Sequence, residues 1–162
     1  MPYTQLDRIF LPPSYSAIQD AAETETRRAL DSVNAMDVDA TEIGLRVTMS
    51  PDPKNPQMEH FTLHIDANDI ALARQAGQYT AQLWLAAITY LANGRTQDSR
   101  IIGLNPHYGA AERDKVLTDG IDFNQDMKVE AEAKEIRFIV FDRGSNAVGS
   151  ITIPVNTAAH LP

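Results

Sequence analysis

The chain has 162 residues, 43% hydrophobic and 22% charged, which is the balance of a folded globular protein with one ordinary core. A formal net charge of -8 and a pI near 4.8 weigh against a nucleic-acid backbone or an anionic membrane surface as partner, and no basic patch offsets them, because Arg27 and Arg28 are flanked by Glu23, Glu25 and Asp31. The absence of cysteine excludes disulfides, thiolate metal sites and a cysteine nucleophile.

No apolar run is long enough to span a bilayer, so no membrane insertion is expected, and the N-terminus lacks the basic-then-apolar plan of a signal peptide. The chain is therefore read as cytosolic or as a piece of a longer protein that carries the signal. Met1 to Ser14 holds Tyr3, Leu6, Ile9, Phe10 and Leu11 without a period and ends on Pro12 and Pro13, which predicts an irregular surface lead-in. From Ser16 to Asn34, Ile18, Ala22, Ala29, Leu30 and Val33 recur at helical spacing, with Asp20 and Glu23 near the start and Ser14 or Ser16 as N-cap. Residues 1–38 thus read as an extended segment and helix, and residues 39–158 as a β domain.

Ile43, Leu45, Val47 and Met49 alternate with polar residues to give a first strand, three prolines between Ser50 and Pro56 make a loop, and Phe61, Leu63 and Ile65 mark a second strand. Asn68 to Ala76 reads as a helical turn or an irregular crossing. Tyr79 to Ala92 is open between buried helix and long strand. Its length favours helix, but its β-branched and aromatic content and the abrupt Asn93-Gly94 favour a strand entering a tight turn, and a strand is expected. Arg95 to Leu104 is then its return partner. Ala110 to Asp119, closed by Gly120, reads as a short helix with Val116 and Leu117 inward, and Met127, Val129, Ala131 and Ala133 as a half-exposed strand.

The most strongly patterned stretch is the last. Ile136, Phe138 and Val140 alternate with Arg137, Ile139 and Phe141, and after a turn-rich gap Ile151, Ile153 and Val155 alternate with Ser150, Thr152 and Pro154, which predicts a β-hairpin. Its first arm is apolar on both faces and belongs inside a sheet covered on each side, whereas the second, with two hydroxyls and a donor-less proline, suits an outer position. About seven short strands make the expected fold all-β, an immunoglobulin- or fibronectin type III-like antiparallel β-sandwich with an N-terminal helix and one short inserted helix.

Candidate chemistry is sparse. His60 and His64 share one strand face and could hold a metal with a third ligand, but their Cβ atoms stand about 13 Å apart at the strand rise, so solvated surface histidines are the favoured reading. Asp66, Asn68 and Asp69 lack the glycine and terminal glutamate of a calcium loop and suit Asx turns and caps, as does Asp52. Ser50, Ser99, Ser145 and Ser150 show no nucleophile elbow, His107 sits in a Pro-His-Tyr loop, and Glu130 and Glu132 read as solvated charges beside Lys128 and Lys134. Trp84 and Tyr90 share a face of the long strand and are the one candidate ligand platform, for a sugar; filling a core is the plainer reading.

The ending Ile136 to Asp142, Arg143 to Ala147 and Val148 to Val155 resembles the C-terminus of von Willebrand factor A-related proteins typical of acidobacteria, in which a strand closes on an aspartate, a short variable turn follows, and the chain runs through Val-Gly-Ser and apolar positions to a proline. Further matches are Arg28 to Ser32, Ile43 to Thr48, and the strand entering Ala92-Asn93-Gly94, so that the resemblance covers about residues 28 to 155. It implies the tail module of a secreted or periplasmic protein, preceded by a von Willebrand factor A domain. That domain binds metal through Asp-x-Ser-x-Ser; Asp31-Ser32-Val33-Asn34 lacks both serines in register, so no metal site carries over. The expectation is a non-catalytic structural or protein-interaction module without catalytic, metal or cofactor residues, its partner the upstream A-type domain or another copy. The competing readings are a carbohydrate-binding module on Trp84 and Tyr90, and a hydrolase in which His107 or His64 meets a carboxylate in a pocket.

Overall fold

In the computed structural model the described residues are 38–98 and 101–155, together with positions 24, 27, 28, 31 and 32, which are helical. The lead-in, the rest of the expected N-terminal helix and Ser99 lie outside them. The strands are β1 (Leu45–Pro51), β2 (Met58–Ile65), β3 (Ala73–Gln75), β4 (Gln78–Thr80), β5 (Leu83–Leu91), β6 (Thr96–Asp98), β7 (Ile102–Leu104) and β8 (His107–Tyr108). Helix α1 (Ala110–Asp119) then leads into β9 (Ile121–Lys128), β10 (Ala133–Asp142) and β11 (Ala147–Pro154).

All pairings are antiparallel and form three sheets: β1-β2-β9; β11-β10-β5-β6, with β7 also on β5; and a small β3-β4-β8 sheet. The fold is all-β and sandwich-like with one inserted helix among the described residues. Among the described residues eleven strands replace the expected seven or so, because short strands of two or three residues carry too little alternation to be read. Two boundaries also move. The alternation from Met127 to Ala133 was expected to be one strand, but β9 ends at Lys128 and residues 129–132 turn the chain back into β10. The stretch opening at Ile121, to which the alternation assigns no element, is the body of β9.

The core lies between the two larger sheets. Phe61, Leu63 and Ile65 of β2 face Leu83, Leu85 and Ala87 of β5 and Ile136, Phe138 and Val140 of β10, with the Phe61 and Phe138 rings tilted 54° at 5.2 Å. Strand β10 is buried on its other face as well, where Ile139 and Phe141 cluster with Trp84 and Ile88, and Ile101 and Ala40 pack against them. The hairpin expected at the C-terminus is present, Asp142 opposite Ala147, with β11 outermost in its sheet. The long stretch is a strand, β5, and Arg95 to Leu104 supplies both β6 and β7 as its neighbours.

Chain entry closes one side of the sandwich. Residues Asp39 to Glu42 run along the outer edge of β11, Thr41 bridging Gly149, and the chain then crosses at Ile43 into β1 of the other sheet. Gly149 is required by that crossing: a Cβ there would run into the Ile43 carbonyl, which is backbone and cannot turn aside. Gly149→Ala is expected to destabilise the fold by about 2 kcal/mol or more, read as a lower urea midpoint with an unchanged m-value.

Candidate functional site

Two polar constellations emerge, one on each of the two larger sheets. On the β1-β2-β9 sheet the phase of the ladder is set by Asp66 N–H donating to the Gly44 carbonyl (2.9 Å) and Val129 N–H donating to that of Gln57 (3.0 Å). Pairing alternates along an antiparallel ladder, so His60, Thr62 and His64 form hydrogen-bonded pairs with β1 and non-hydrogen-bonded pairs with β9. In the latter the side chains approach most closely. Each of the three accordingly meets the residue opposite: His60 Nδ1 to Asp126 Oδ1 at 2.7 Å, Thr62 Oγ1 to Asn124 Oδ1 at 2.7 Å, and His64 Nδ1 to Asp122 Oδ1 at 2.6 Å.

These rungs occupy the exposed face, where the Asp122 and Asp126 side chains are about 60% open to solvent. The histidine–carboxylate pairing that general-base chemistry uses is thus present, but the neighbouring hydroxyl, that of Thr62, is committed to Asn124. An apolar cavity of about 30 Å³, room for a water or two, lies on the opposite face of the same sheet, lined by Phe61, Phe123, Met127 and Phe138. Paired histidines and cavity are therefore separated by the sheet itself. His64 is further fixed by Gly120, whose positive φ of 82° ends α1 and whose missing Cβ leaves room for the imidazole.

The second constellation clasps the edge of β11. Val148, Ser150 and Thr152 point their amides away from β10, and each finds an acceptor in the entering chain: Glu42 Oε1 at 3.2 Å, the Ala40 carbonyl at 2.9 Å and Asp39 Oδ2 at 2.9 Å. Asp39 Oδ1 also accepts from the Ser150 and Thr152 hydroxyls at 2.9 and 2.8 Å and lies 3.4 Å from Arg137 Nε, which donates to Thr152 Oγ1 at 3.0 Å. The buried Arg137 guanidinium stands 5.6 Å from the Tyr90 ring. Burial works to raise the Asp39 carboxyl, but the hydrogen bonds from Thr152 and Ser150 and the Arg137 charge outweigh it and hold the group below its ordinary value.

The remaining candidates resolve into structural roles. Trp84 is only 8% exposed, inside the outer cluster of its sheet, and Tyr90 is half-buried, so the pair presents no open aromatic platform. Asp66 accepts from the Asn68 amide and side chain, which hold its carboxyl below the ordinary range, and Asp69 accepts from Gly44 N–H at 2.8 Å. Asp52 accepts from Lys54 N–H at 2.8 Å, the Asx turn expected of it. His107 is exposed on β8 opposite Thr80. Ser145 donates to Asp142 at 2.7 Å; Asp142, fully buried, also accepts from Ala71 and Gly144 N–H and ties the hairpin turn to the β2–β3 connection.

Among the described residues no group of three or more His, Asp or Glu side chains could hold a metal ion, and no helix is long and apolar enough to cross a membrane. Sequence reasoning missed Asp39, Glu42, Asp122 and Asp126. A signal for the last two was present: two aspartates four apart mirror two histidines four apart, as antiparallel partners must. The chain matches no protein-family model, and no curated protein resembles it closely enough to count as a match.

A carboxyl held low in the folded state contributes fully above its unfolded-state value near 4 and loses that contribution as pH falls through the folded-state value. Asp39→Asn should therefore cost about 1–2 kcal/mol at neutral pH, and the urea midpoints of variant and wild type should converge as pH falls from about 5 towards 3.

Proposed function

We propose that the chain is a non-catalytic structural or protein-interaction module, a β-sandwich carried beside a von Willebrand factor A-type domain in a secreted or periplasmic bacterial protein. The observation that carries this reading is the clasp. Asp39, Ala40 and Glu42 together accept the three outward amides of β11, so the chain arriving from the N-terminal side is fixed to the sandwich rather than tethered loosely to it. A joint of that kind suits a domain whose orientation to a preceding segment matters. The hairpin from Ile136 to Val155, which resembles the close of such proteins, is the very element that the clasp grips.

The commitment of the reactive side chains supports the non-catalytic part. Both histidine–aspartate pairs are cross-strand rungs on an open face, and the apolar cavity holds none of them. Burial of Trp84 takes away the exposed ring that a sugar platform needs.

Two measurements test the reading. Trp84 emission should be blue-shifted, resist iodide quenching and ignore a panel of soluble polysaccharides; quenching relieved by a glycan would replace the proposal with a carbohydrate-binding module. Titration calorimetry against a purified A-type domain of such a protein should give saturable binding that Asp39→Ala weakens roughly tenfold or more. Heatless titrations at high micromolar concentration of both partners would defeat the pairing.

A further inference from the structure

We infer that the outer edge of β9 is a self-pairing surface, through which two copies of this chain join their β1-β2-β9 sheets into one continuous antiparallel sheet. The inference deepens the reading of the chain as a protein-interaction module by naming a partner and a surface. It starts from the same ladder phase. The odd-numbered residues of β9 turn their backbone groups to β2, so Asp122, Asn124, Asp126 and Lys128 turn theirs outward. No described residue hydrogen-bonds to those outward amides and carbonyls.

The other sheet margins differ. The edge of β11 is clasped by Asp39 to Glu42, β6 is three residues long, and β1 ends on Pro51 and packs against β11. Eight residues of open strand without a proline make β9 the margin most able to template another strand.

The sequence of β9 is complementary to itself when reversed. With Gln125 opposite Gln125 of the second copy, Asp122 faces Lys128 and Asn124 faces Asp126, each pair occurring twice by the two-fold axis. On the inner face Phe123 then meets Met127, an apolar pair that covers the open flank of the cavity between the sheets. Neighbouring registers lack this property: sliding by two residues sets Asp122 against Asp126 one way, and Asp126 against itself the other. A slide by one would turn apolar side chains to solvent. The groups needed are accessible. Asp122 and Asp126 each use one carboxylate oxygen on a histidine, and among the described residues Lys128 is held only by an exposed contact of 3.9 Å to Glu130.

Sedimentation equilibrium and light scattering on the full chain, from about 1 to 200 µM, test the inference. A concentration-dependent dimer is expected, weakened roughly tenfold or more in Lys128→Asp and in Asp122→Lys, each of which sets like charges together twice. Mixing the two variants should restore the dimer, because the heterodimer regains both opposite-charge pairs. Asn124→Pro removes an outward amide without touching the β2 ladder, and should give a folded monomer by circular dichroism. A wild type that stays monomeric throughout, a dimer indifferent to Asn124→Pro, or variants that fail to re-pair on mixing would each overturn the self-pairing. None of these results bears on the calorimetric test of the A-type partner, so the two readings fail separately.

Discussion

Strand β10 imposes the constraint from which the architecture follows. Ile136, Phe138 and Val140 leave it on one side and Ile139 and Phe141 on the other, all buried, so a sheet built on β10 needs a cover on each face. Burying each such side chain is worth up to about 1.5–3 kcal/mol, against about 1 kcal/mol for one edge hydrogen bond. Packing on β10 therefore decides where the sheets lie, and the polar contacts decide how their margins finish. The β1-β2-β9 sheet supplies the inner cover, while Ile101 and Ala40 pack on the outer face.

Margins obey a different rule, that of the antiparallel ladder's phase. On β11 the outward amides alternate, and the entering chain meets them with a carboxylate, a carbonyl and a second carboxylate in the same alternation. The same phase places His60 and His64 in close pairs with β9 and so gives them Asp126 and Asp122, rather than each other, as partners. A metal shared by the two histidines would have needed the strand to bend; the ladder instead spends each on its own rung.

Much of this was legible where a side-chain pattern is local. The alternation of β10, the hydroxyls and proline of β11, the stop at Gly120 and the Asn93-Gly94 turn each mark a feature within a few residues, and each was read correctly. Reversals were harder. Alternation from Met127 to Ala133 continues unbroken through the turn at residues 129–132, because a period of two records which side a residue faces and carries no sign that the chain has doubled back. Strand β2 was begun late, at Phe61, since charged Glu59 stands on its inward face and is buried there. The site residues were least visible. Asp39 meets Thr152 across 113 positions and His60 meets Asp126 across 66, and only the assembled sheets join such distances.

The contrast between margins also bears on what assembly the fold permits. A sandwich with two open edges can add copies at both and grow without limit, whereas closing one edge with its own chain leaves a single direction for pairing. Here the clasp on β11 removes the margin of the larger sheet, and the three-residue β6 offers too little ladder at the other end. The proposed pairing through β9 would be isologous, each copy using the same surface, so it would close at two. Asp122, Asn124, Asp126 and Lys128 put polar and charged side chains along the margin of β9, and in the proposed pairing the same residues would set its register against itself. Protection from indiscriminate aggregation and selection of one partner would then arise from the same four side chains.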